Sequence, residues 1–94
     1  MVAAVVLGSI VRREEDLATA EMLIGLLASK FERVRYRAVR SIHRRASRFS
    51  ISTGAINEMI KGVDVALNAE DSDIVLEPLE SARKKLRFAK EIRS

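Results

Sequence analysis

Leu26-Leu27-Ala28-Ser29-Lys30-Phe31-Glu32-Arg33-Val34-Arg35-Tyr36-Arg37-Ala38-Val39-Arg40-Ser41-Ile42 is the stretch on which the architecture turns. Its skeleton is Leu26-Leu27, six residues, then Val34-Arg35, Ala38 and Ile42. Forty residues later come Ala66-Leu67, six residues, then Ile74-Val75, and after them Ala82 and Leu86. At that offset Ala20 meets Ile60, Leu23 meets Val63, Val39 meets Leu79 and Ala46 meets Leu86, apolar on apolar each time. Self-similarity of this period marks stacked helical hairpins, none of which can bury its apolar face alone.

Working outward from that stretch, period and punctuation predict an all-α chain. Residues 2–13 read as a leading apolar helix, with a strand as the runner-up on their β-branched content. Residues 16–49 read as a first hairpin. Asp16 is the expected N-cap of a helix from Leu17 to about Lys30, and a turn near Ser29–Glu32 leads into a helix reaching about Phe49. Residues 53–93 read as a second hairpin, entered through the Ser50–Gly54 linker. Its first helix carries Ile56, Met59, Ile60, Val63 and Leu67 on one stripe; Asn68–Ser72 makes the turn, and the last helix runs to about Ile92. Pro78 lacks an N–H, so this last helix is expected to start near Glu77 or to kink there.

The repeat resembles the HEAT type of helical repeat on Leu26-Leu27, Val34-Arg35, Ala38 and Ile42, and Leu67 to Leu76 is similar to the related armadillo type. Ala3 to Ile10 is similar to the second helix of a preceding unit, with Ala3 and Leu7 matching Ala38 and Ile42. The resemblance implies about two repeats plus one leading helix, in a short solenoid that binds another protein or continues into further repeats. It also implies a polar ladder in which a turn Asp pairs with an Arg of the next helix. The ladder's positions are altered, because Ser29 stands at the turn of the first unit and Val75 at the Arg position of the second. On this reading Val2, Val5, Val6 and Ile10 form an open edge that meets a partner or a second copy. The alternative is a closed four- to five-helix bundle, alone or as a dimer.

Composition narrows the function. Of the 94 residues, 48 % are hydrophobic and only five are Gly or Pro, which excludes a disordered chain. There is no Cys, so a disulfide framework and a thiolate metal site are excluded, and an intracellular location, cytoplasmic or nuclear, is expected. The longest apolar run, Val2 to Leu7, is too short to span a membrane and has no basic segment before it.

Charge is strongly segmented. Residues 1–29 carry a net −2, residues 30–48 a net +7, residues 49–82 a net −6 and residues 83–94 a net +5. Within the second segment Lys30, Arg33, Arg37, Arg40, Arg44 and Arg48 recur every three or four residues, so all six fall on one helical stripe about 80° wide. Phe31, Ala38, Val39, Ile42, Ala46 and Phe49 lie opposite and are expected in the core. Arg83, Arg87 and Lys90 repeat the stripe on the last helix. Guanidinium groups climbing one face at one per helical turn of about 5.4 Å suit a row of phosphates or the carboxylates of an acidic partner. The bland alternative pairs them with Glu58, Asp64, Glu70 and Asp71. Few aromatics are available to stack on bases, so any nucleic acid would be gripped by its backbone, with RNA and DNA equally served.

Catalysis finds little footing. His43 is the only histidine and reads as a surface residue within reach of Glu32 or an Asp; no phosphate loop, nucleophile motif or metal-ligand spacing accompanies it. Neither cofactor nor metal is expected. Leu26 to Arg35 is similar to the first helix of small all-helical chorismate mutases, which bind a dicarboxylate with Arg and Lys; the rest of the chain departs from that pattern. The expected function is a non-enzymatic binding module or scaffold, with nucleic-acid backbone binding as the alternative.

Overall fold

The computed structural model describes residues 2–48 and 51–93, with only the helical backbone described for residues 2–13. Four helices account for these residues: α1 (Val2–Leu26), α2 (Glu32–Ala46), α3 (Thr53–Ala69) and α4 (Asp73–Glu91). The fold is all-α, as the periodicity predicts. Side chains of Val2, Val5, Val6 and Ile10, and all of Phe49, lie outside the described residues.

The expected break before Leu17 does not occur, and α1 runs unbroken through it. Arg13, Glu14 and Glu15 are good helix formers, and nothing between Val11 and Ala20 interrupts the backbone ladder. Asp16, expected to cap its own helix, instead accepts a hydrogen bond at 2.9 Å from the Ser52 N–H at the start of α3. Ser52 is the N-cap of α3, its hydroxyl accepting from the Ala55 N–H at 3.2 Å.

Phe31 is a second correction. It is the N-cap residue of α2, held extended at φ −91° and ψ 118°, and is 60 % exposed rather than core-facing. α1 ends at Leu26, ahead of the expected Lys30, and α2 ends at Ala46. Pro78 lies within α4, which starts at Asp73 and not near Glu77.

The principal packed pairs are α1 with α2, α3 with α4, α1 with α3 and α2 with α4. The connecting contacts give direction. Asp16 lies at Ser52, Leu17 against Gly54 and Ile24 against Gly62, so α1 and α3 run parallel. Glu32 meets Ser72 and His43 meets Ser81, so α2 and α4 are parallel as well. Two hairpins therefore lie side by side, like helix beside like helix, which fits the forty-residue echo.

Four of the echoed pairs are buried on both sides, whereas Leu26 and Ile74 of the same echo are exposed. Ala20 and Ile60, Leu23 and Val63, Val39 and Leu79, and Ala46 and Leu86 all sit in one core, together with Ile42, Ile56, Met59, Val75 and Ala82. Gly62 allows α1 and α3 to approach closely. A Cβ there would stand 2.6 Å from Ile24 Cγ1 and 2.8 Å from its Cγ2.

Candidate anion-binding face and the neighbouring groove

The basic stripe is built by the register of α2. Ala38, Val39, Ile42 and Ala46 turn inward, which leaves the opposite side of the same helix to solvent. Arg33, Arg37, Arg40 and Arg44 are exposed there, and Lys30 and Arg48 are exposed just beyond the two ends of the helix. Among the described residues, no carboxylate lies within ion-pairing distance of any of the six. The nearest organised contact is Lys30 Nζ, 5.2 Å from the centroid of the Phe31 ring.

The acids of the middle segment are engaged elsewhere. Asp64 pairs with Arg83 at 3.3 Å and with Arg87 at 3.4 Å. Glu58 lies 3.6 Å from Lys61. Glu70 takes Arg35 in a forked contact, with Nε donating to Oε2 at 2.8 Å and Nη2 to Oε1 at 3.1 Å. Arg83 and Arg87 therefore face Asp64 on the α3 side of α4, and they do not extend the α2 stripe. The nine basic residues singled out from the sequence separate into an open ladder on α2 and a second set on α4, of which Arg83 and Arg87 share one acid.

Arg35 escapes the stripe because it lies about 160° around the helix from Arg33. Beyond Glu70 it donates through Nη1 to the Ser29 carbonyl at 2.9 Å, so one guanidinium ties the α1–α2 turn to the α3–α4 turn. Glu70 is only 3 % exposed in its side chain. Burial pushes its carboxyl up, but the Arg35 hydrogen bonds and the backbone N–H groups of Ser72 and Asp71 outweigh that and hold it below the usual value. The Glu70 hydrogen bond, against some burial, raises Arg35 above its own ordinary value. Ser72 extends the network by donating its hydroxyl to Glu32 Oε2 at 2.8 Å. The expected ladder pairs a turn Asp with an Arg of the next helix; here the turn acid is Glu70, beside Asp71, and the Arg lies thirty-five residues before it.

Between α2 and α4 runs a shallow groove lined by Tyr36, Arg40, His43, Ile74, Glu77 and Ser81. His43 Nε2 stands 3.3 Å from Ser81 Oγ, so its partner is neither Glu32 nor an Asp. Partial burial and the charges of Lys85 and Arg40 push its pKa below the usual histidine value, which favours the neutral ring. Both residues sit within helices, where backbone N–H groups are spent on the helical ladder and none is left to gather around a developing oxyanion. The stretch Leu26 to Arg35, similar in sequence to a chorismate mutase helix, is the α1–α2 turn with its flanks. Among the described residues no three His, Asp or Glu side chains cluster as a metal site requires, and no helix is long and apolar enough to cross a membrane.

Set against family models, curated proteins and solved structures, the chain matches none.

Proposed function

We propose that this chain is a non-catalytic binding module made of two HEAT-like helical hairpins, with the exposed face of α2 as its contact surface for an anionic partner. One observation carries this reading: Arg33, Arg37, Arg40 and Arg44 line one face of α2, Lys30 and Arg48 flank it just beyond the helix ends, and no carboxylate of the described residues lies within ion-pairing distance of any of them. Like charges held within a turn of each other repel, and a row of bound anions relieves that repulsion. The repeat character is supported by the parallel alignment of α1 with α3 and of α2 with α4, and by the Arg35–Glu70 link between successive turns. The natural partner of such a module is an acidic segment of another protein. A second reading, a nucleic-acid backbone, is favoured by the spacing of the ladder, since about one cation per 5.4 Å turn approaches the phosphate repeat of a strand.

The test uses fluorescence anisotropy with labelled duplex RNA, duplex DNA and a polyglutamate peptide, for the wild type and for Arg37→Glu with Arg44→Glu. The module is expected to bind at least one of these probes, and the double variant to lose that binding while keeping its helical circular dichroism. Wild-type indifference to all three probes, or unchanged affinity in the double variant, would overturn the proposal.

A further inference from the structure

The two ends of the side-by-side pair of hairpins differ in chemistry. On α3, Gly62 faces α1, so Asp64, about 160° around the helix, points away from the first hairpin; Arg83 and Arg87 meet it there. That end is closed with ion pairs. On α1, Ile24 faces α3, so Met22 and Leu26, each two residues away, point to the opposite side, and Glu15, nine residues away, does the same. Met22 is 59 % and Leu26 38 % exposed. On α2, His43 faces α4, which directs Val34 and Arg45 toward this same free end. The exposed Phe31 closes the α1–α2 turn as the N-cap residue of α2.

We infer that this free face of the first hairpin is a self-association surface, on which a second copy of the chain docks about a two-fold axis with α1 of each copy against α2 of the other. Charge selects both the occupant and the arrangement. On this face α1 presents the exposed Glu15 and α2 the half-buried Arg45, while Asp16 is held at Ser52 and Arg35 at Glu70. A two-fold contact of α1 on α1 would oppose acid with acid. Crossing α1 onto the partner's α2 brings Glu15 to Arg45 twice, as an isologous interface requires, with Met22, Leu26 and Val34 as its apolar centre. A partner with one sign of charge could satisfy only half of this face; a second copy satisfies both halves. Arg40 lies about 120° around α2 from Val34 and Arg33 and Arg44 about 80–100°, so most of the anion-binding ladder lies off this face, with Arg37 at its border.

Sedimentation velocity and light scattering over a wide concentration range read the outcome. The wild type is expected at twice its 10.5 kDa chain mass. Met22→Glu with Leu26→Glu is expected at the chain mass with unchanged helical circular dichroism, both positions being exposed. Arg45→Glu alone is expected to weaken the dimer about tenfold, and Glu15→Arg in the same chain to restore it, since each copy then presents the exchanged charges to the other. Three results would overturn the inference: a monomeric wild type, a dimer indifferent to the Met22 and Leu26 changes, or failure of the charge exchange to restore association.

Discussion

Arg35 and Glu70 show how one side-chain pair can join two helical hairpins. The guanidinium fork holds a nearly buried carboxylate and a turn carbonyl at once. Removing it with Arg35→Ala leaves Glu70 charged, shielded and without its main partner, so the melting temperature is expected to fall, and Arg35→Lys to restore only part of the loss. The sign of the pH dependence follows. Glu70 has a lower pKa folded than unfolded, so its stabilisation is present above the ordinary Glu range near about pH 4.3 and is lost as pH falls through the folded value. His43 is also depressed; the folded state resists its protonation, and stability declines as pH drops below about 6.5 toward the folded value. Acid titrations of stability should show both limbs, with Glu70→Gln flattening the lower and His43→Gln the upper. Gly25 and Gly62 give a second paired expectation. A methyl at Gly25 meets nothing within 4 Å, so Gly25→Ala should stabilise by about 0.5–1 kcal/mol. At Gly62 the same change drives into Ile24 and should cost about 1–3 kcal/mol despite the better helix propensity, as thermal melts of the two variants would show.

Among the helices, the start of α3 and the interior of α4 are the sensitive places. Ser52 caps α3 and is itself held by Asp16 from the middle of α1. Ser52→Ala is expected to cost about 1 kcal/mol, and Asp16→Ala to loosen the same helix start although it lies thirty-six residues away. Pro78 denies α4 one backbone hydrogen bond, so Pro78→Ala should raise stability, by up to about 3 kcal/mol in denaturant titrations. The existence of these helices was legible because Ile56, Met59, Ile60 and Val63, or Ala38, Val39, Ile42 and Ala46, repeat with the helical period. The continuity of α1 was not. Asp16 followed by Leu17 has the local look of a helix start, and only the position of Ser52 in space shows what the carboxylate serves. Phe31 misled for a similar reason: its register places it opposite the arginines, but the helix begins one residue after it, so the periodicity does not govern its side chain.

At the scale of the whole molecule, α1 lies beside α3 and α2 beside α4, and the forty-residue echo puts buried apolar residues at matching positions of each pair, such as Leu23 with Val63 and Val39 with Leu79. The charge stripe was legible too, since exposure on α2 follows from the buried positions opposite. What the stripe would meet was not, because ion pairing depends on the relative placement of α3 and α4. That placement sends Asp64 to Arg83 and Arg87 and Glu70 to Arg35, and leaves α2's outer face open. The open face is the central claim of the account, and its most direct test is the salt dependence of polyanion binding, followed by anisotropy on labelled duplex RNA and DNA beside polyglutamate. If the α2 ladder grips a duplex backbone, log K should fall with log salt at a slope of about −4 or steeper, at about −0.9 per neutralised phosphate, and Arg37→Glu with Arg44→Glu should flatten that slope. A response confined to polyglutamate would assign the face to an acidic protein segment. Absence of binding to every probe at low salt would contradict the account.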